Sequence, residues 1–194
     1  MGTRDTLTAA AVLGASMAAA GAVAETVTIR GDFVAECYDK DGNLRWRDEF
    51  KNTVVTVGKN LILDQALAGS AYTATEYMGL ISSVSYSAIS AADTMASHSG
   101  WTEAGTTNAP TFSGSRPTCA WSAASAGSKS LSAALSFSIT GTGTIKGAFL
   151  VGGSGASATV LNTSGTLVSA GLFTGGDRAV LSGDTVNVSY SMSI

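Results

Sequence analysis

Charge is the scarcest commodity in this chain. Asp, Glu, Lys and Arg together make up 13% of the 194 residues, about half the usual share. Eleven scattered Lys and Arg against fourteen Asp and Glu leave a net charge of −3. Nucleic acid is held largely by clustered cations that neutralise phosphates, so no nucleic-acid partner is expected. No window approaches the run of about 20 apolar residues that a membrane-spanning helix needs, and no membrane partner is expected either. Histidine occurs once, as His98, and cysteine twice, as Cys37 and Cys119. A Ser or Cys nucleophile usually needs a histidine base, and no Gly-x-Ser-x-Gly elbow surrounds any serine. Cys37, His98 and Cys119 lie in separate segments without the short spacing of zinc ligands. The expectation is therefore no catalytic residue, no metal and no cofactor, with His98 hydrogen-bonded within its own segment and with Cys37 and Cys119 read as two buried free thiols, a single bridge between them being the alternative.

What remains is not the composition of a disordered chain. Apolar residues make up 45%, and a chain of this length buries enough surface to fold without a metal or disulfide. The polar surface is carried by hydroxyls. Fourteen of the 25 charged residues fall within the first 51 positions, which gives a charged front section and a nearly uncharged body. The stretch from Thr6 to Ala24 is Ala-rich and ends in Ala22-Val23-Ala24, a sequence like a signal-peptidase site. Asp5 cancels Arg4 and the run is weakly hydrophobic, so residues 1–25 are read as an arm, helical or extended, with Leu13 and Met17 on one face. Cleavage as a signal peptide stays open as the alternative.

Residues 26–194 read as one mainly all-β domain. Val27 to Tyr38 and Leu44 to Phe50 flank the turn cluster Asp39-Lys40-Asp41-Gly42-Asn43, which predicts a β-hairpin over 26–51. Asp32, Glu36, Asp48 and Glu49 face Arg30, Arg45 and Arg47 across it, as cross-strand ion pairs on a solvated face. The acidic turn lacks the spacing of a calcium loop. Asn60 is placed as the cap of a helix over 60–68, stopped by Gly69. Tyr77 to Ser82 reads as a buried strand, Ala91 to His98 as a short helical turn, and Ser113 to Ala126 as loop. Leu131 to Ile139, Thr144 to Val151, Thr166 to Phe173 and Val186 to Met192 follow as strands between Gly/Ser turns. Gly152-Gly153-Ser154-Gly155 lacks the lysine of a P-loop and reads as one such turn. The pattern predicts an antiparallel β-sandwich or jelly-roll-like core with one short internal helix.

Whole segments then carry a resemblance. DGNLRWRDEFKNTVVTVGKNLILDQAL, SAYTATEYMGLISS, AADTMASHSGWTEA, TIKGAFLV and SGDTVNVSYSMS, in that order, resemble virion structural proteins of tailed bacteriophages, some of which look like capsid cement (decoration) proteins. The likeness runs from about Val27 to Ile194. It implies a non-enzymatic protein on the capsid exterior, assembled in the host cytoplasm. The implied partners are the major capsid protein and copies of the chain itself, as dimer or trimer. On that reading the arm and the charged hairpin supply the interface, with Leu7, Leu13, Met17, Arg30, Arg45, Trp46 and Arg47 as candidate contact residues. A tail or head-fibre component touching a host glycan through Trp101 or Trp121 is the alternative, and a secreted β-sandwich with its leader removed is a further one.

Overall fold

The computed structural model describes residues 28–67 and 75–194. Its first two strands, β1 (Arg30–Tyr38) and β2 (Leu44–Val54), form the expected antiparallel hairpin. The turn is built from its own side chains: one Asp39 carboxylate oxygen accepts the N–H groups of Asp41 and Asn43, each at 2.9 Å. Gly42 sits at φ +83°, a left-handed conformation that glycine adopts without a Cβ clash. Then follow α1 (Thr56–Leu67), β3 (Tyr77–Ser82), β4 (Thr102–Glu103), β5 (Ser128–Ser130) and β6 (Leu135–Ser138). The chain continues through β7 (Gly143–Gly152), β8 (Thr166–Leu172), β9 (Arg178–Val180) and β10 (Thr185–Ser193).

The ten strands form one antiparallel sheet in the order β4-β3-β7-β8-β2-β1-β10-β5, with β6 also on β10 and β9 also on β7. β2 is the hinge of this sheet. Its residues Trp46 to Lys51 pair with β1, whereas Asn52 to Val54 pair with β8. The sheet therefore has two halves, a hairpin half (β2, β1, β10, β5, β6) and a β7 half (β8, β7, β3, β4, β9). One apolar cluster draws on both: Phe33, Cys37, Val188 and Tyr190 from the first, Met78, Leu80, Leu150 and Val168 from the second. Phe33 stacks on Phe50 at 5.0 Å and touches Tyr190 at 4.5 Å, each its direct cross-strand partner. This is the sandwich-like all-β fold that the strand pattern predicts.

Several boundaries differ from expectation. The helix starts at Thr56, not at Asn60, with Lys59 N–H donating to the Val55 carbonyl. Gly58 lies inside it because a Cβ there would stand 2.1 Å from the Val168 carbonyl oxygen; the helix rests its backbone on β8. Ala91 to His98 forms hydrogen-bonded turns and no helix, since Asp93 accepts the Ser90 N–H and Thr94 and Ser97 bond each other's backbone. The alternation from Leu131 to Ile139 is broken: β6 keeps only Leu135–Ser138, and Ser132 to Ala134 step out of the ladder while Leu131 N–H still bonds Tyr190 O. The outermost strands are short, β4 with two residues, β5 with three and β6 with four. Short edges offer little ladder to a strand from another chain; among the described residues a longer open edge is Trp46 to Lys51 of β2, which pair with β1 on one side while β8 takes only Asn52 to Val54 on the other.

Candidate functional site

Strand alternation sorts the hairpin half into two faces. Trp46, Asp48 and Phe50 of β2 point inward with Phe33, Ala35 and Cys37 of β1. Arg47, Glu49 and Lys51 point outward, across from Glu36 and Asp32 of β1 and the Asn187, Ser189 and Ser191 ladder of β10, while Arg45 sits at the register shift opposite Cys37 and Tyr38. No described element covers this outward face, and every strand residue named on it keeps some exposure. Its charges neutralise one another: Arg47 bonds Glu36 at 3.1 Å and also pairs with Glu49, and Lys51 pairs with Asp32. Tyr38 donates to Glu36 at 2.8 Å, and that bond raises the phenol above its ordinary pKa. Glu49's hydrogen bond likewise raises the Arg47 guanidinium. Ser136 donates to Asn187 at 2.5 Å. The result is an open face on which the Ser and Asn side chains of β10 lie beside paired charges, with the partly buried Val34 among them.

Two of the expected cross-strand pairs take other partners. Asp48 is 5% exposed and faces inward, because β2's alternation puts it on the side of Trp46 and Phe50. There it accepts the N–H groups of Thr174 and Gly175, each at 2.9 Å, and the Arg178 guanidinium at 2.5 Å, closing the jog between β8 and β9. Burial pushes its carboxyl up, but Arg178 and the two N–H groups outweigh that and hold it below the usual carboxylate range. Arg45 reaches Asp184 at 2.6 Å, at the turn before β10, instead of an acid on β1.

The candidate contact residues do not form one patch. Arg30 is exposed where β1 begins, whereas Arg45 and Arg47 lie near the hairpin turn; the strand separates them by about 25 Å at ~3.3 Å per residue. Trp46 faces inward, packing edge-on against Phe173 at 5.5 Å and donating Nε1 to the Ala179 carbonyl at 3.0 Å. Leu7, Leu13 and Met17 lie outside the described residues.

The outward face of the β7 half is the opposite case. Phe149, Val151, Leu167 and Ile81 on it are buried under the segment 83–101, which lays Met95 and Trp101 over them. Trp101 is 1% exposed, so the glycan-stacking role expected of it has no accessible ring. Its Nε1 donates to Asp93 at 3.0 Å, and His98 stacks on it at 4.0 Å with Nδ1 3.0 Å from its carbonyl. Beside them Arg116, 1% exposed, grips Glu103 through Nε and Nη2, both at 2.7 Å. The same guanidinium donates to the carbonyls of Ser157 and Asn162, and Glu103 also accepts the Leu161 N–H. Two loops are thus bolted to β4 by a pair whose bonding is complete. Nothing in the sequence signalled it.

Both thiols are buried and free. Burial, with Asp184 beside Cys37 and Glu76 beside Cys119, pushes each up to about 12, which leaves them protonated and poorly nucleophilic near neutral pH. Among the described residues no three His, Cys, Asp or Glu side chains gather as metal ligands would, and no helix is long and apolar enough to cross a membrane. One apolar groove of about 360 Å³ opens at the β1-start end of the sandwich, between α1 and the end of β10. Half-buried Trp121 lines it and donates Nε1 to Glu76, whose carboxyl is raised by burial.

Compared with protein-family models, curated proteins and solved structures, the chain finds no match. The fold and these two surfaces therefore carry the functional reading.

Proposed function

We propose that the chain is a non-enzymatic virion structural protein of a tailed bacteriophage, acting as a capsid cement protein that seats on the major capsid lattice. The observation that supports this reading is the open outward face of the hairpin half. An open sheet face of Ser, Asn and internally paired charges offers a partner many hydrogen-bonding groups, and the hydrogen bonds formed across the contact have to offset the desolvation of those groups and ions. It can meet a partner surface over a wide area, each contact being modest. A lattice repeats that contact, and copies joined to one another raise the effective concentration for each next engagement. The segment resemblance points the same way. Particles stripped of the protein should lose heat resistance and regain it when the purified chain is added back; unchanged resistance would remove the cementing role.

A tail or fibre component that binds a host-surface glycan is the second reading, favoured by the half-buried Trp121 ring at the groove. Glycan-array binding by the isolated chain, abolished in Trp121→Ala, would replace cementing with this reading.

A further inference from the structure

The groove at Trp121 is walled by Ile62 and Gln65 of α1, by Met192 and Ile194, and floored by Leu150 and Val168. Its two ionisable lining residues are already engaged, Glu76 by the Trp121 indole N–H and Lys129 by the Ser122 carbonyl at 3.1 Å. Ile194 is left 74% exposed at its rim. An occupant that adds apolar contact and brings no charge is what this chemistry suits.

The chain itself carries such a segment, and it leaves from the groove's edge. The described residues open at Thr28, and Arg30 pairs with Ser193, between Met192 and Ile194. Residues 6–24 contain no Asp, Glu, Lys or Arg and carry Leu7, Val12, Leu13, Met17 and Val23 among alanines. Met17 precedes Thr28 by 11 residues, a reach of about 16 Å as helix or about 36 Å when extended. We infer that the groove is the seat of this segment of the same chain, with Leu13 and Met17 entering between α1 and the end of β10. A tether this short gives the intramolecular partner an effective concentration on the order of millimolar, above that of a second copy in dilute solution. The inference rests on the groove and its neighbouring chain exit, is independent of the cementing reading, and excludes a glycan from the same groove.

The test places a photo-reactive benzoylphenylalanine at Met192 in the full chain and maps cross-links by mass spectrometry. Cross-links to residues 6–24 within one chain, with a yield unchanged on dilution, are expected. Cross-links to residues 68–74 alone, cross-links between copies that fade on dilution, or none at all would overturn it. In the full chain carrying Leu13→Asp and Met17→Asp, hydroxyl-radical labelling of Met192 and Trp121 should rise severalfold while that of Trp101 stays low. Unchanged labelling of Met192 and Trp121 would equally overturn it.

Discussion

On the outward side of β7 and β8, Phe149, Val151 and Leu167 lie in a closed layer under Trp101 and Met95. On the outward side of β1 and β10, Asp32, Glu36, Asn187 and Ser189 meet solvent. The difference starts in the strands. β1 and β10 alternate apolar and polar residues, so one face alone needs cover. The central strands β7 and β8 read AFLV and LVSA, apolar on both sides, as a strand buried on two faces must be. The sheet half with two apolar faces had to recruit the segment 83–101 as a lid layer, and the bonds of Asp93, His98 and the Arg116–Glu103 pair hold the loops of that side in place. The hairpin half needed none of this. Its outer face stayed open and available for a partner.

That contrast can be broken most severely at Arg116. Arg116→Met leaves the Glu103 carboxylate buried without its cation, and losing one partner of a buried pair costs about 3–5 kcal/mol. Urea unfolding should show that loss, with the segment 83–101 gaining amide exchange before the hairpin strands do. A smaller effect is expected at the inward side of β2. Asp48→Asn removes the charge from bonds to Thr174, Gly175 and Arg178, and should cost about 1.5–3 kcal/mol at neutral pH, the range for hydrogen bonds to charged groups. The fold holds this carboxyl below its ordinary value. Its stabilisation is therefore complete above the unfolded pKa of about 3.9 and is lost as pH falls through the lower folded one. Denaturation followed from pH 7 to pH 2 should show the two proteins converging in acid. The smallest effect belongs to the open face. Arg47→Ala breaks exposed pairs with Glu36 and Glu49 and should change stability by less than about 1 kcal/mol, while weakening attachment to particles measurably in co-sedimentation.

How much of this was readable in advance follows from range. The hairpin, β3, β7, β8 and β10 declare themselves through local alternation and Gly-rich turns, and the Asp39 turn is made from residues within four positions of one another. β4 and β9, with two and three residues, are too short to show a period. The true helix start was hidden by Gly58, which reads as a breaker until Val168 is seen against it. Asp48 looks like one more acid on a charged hairpin; alternation with Trp46 and Phe50 turns it inward, but the partners that satisfy it there, Arg178 and the Thr174 and Gly175 N–H groups, lie far along the chain. The open face was legible as charge, but its hydroxyl half comes from β10, which joins β1 only through the fold.

The central claim is that this open face is the contact surface. Hydroxyl-radical footprinting of the chain, free and then bound on assembled particles, tests it most directly. Protection on binding should concentrate at Tyr38, Val34, Arg47 and Lys51, with the 83–101 side unchanged. Protection confined to the 83–101 side, with Tyr38 and Val34 labelled equally in both states, would contradict it.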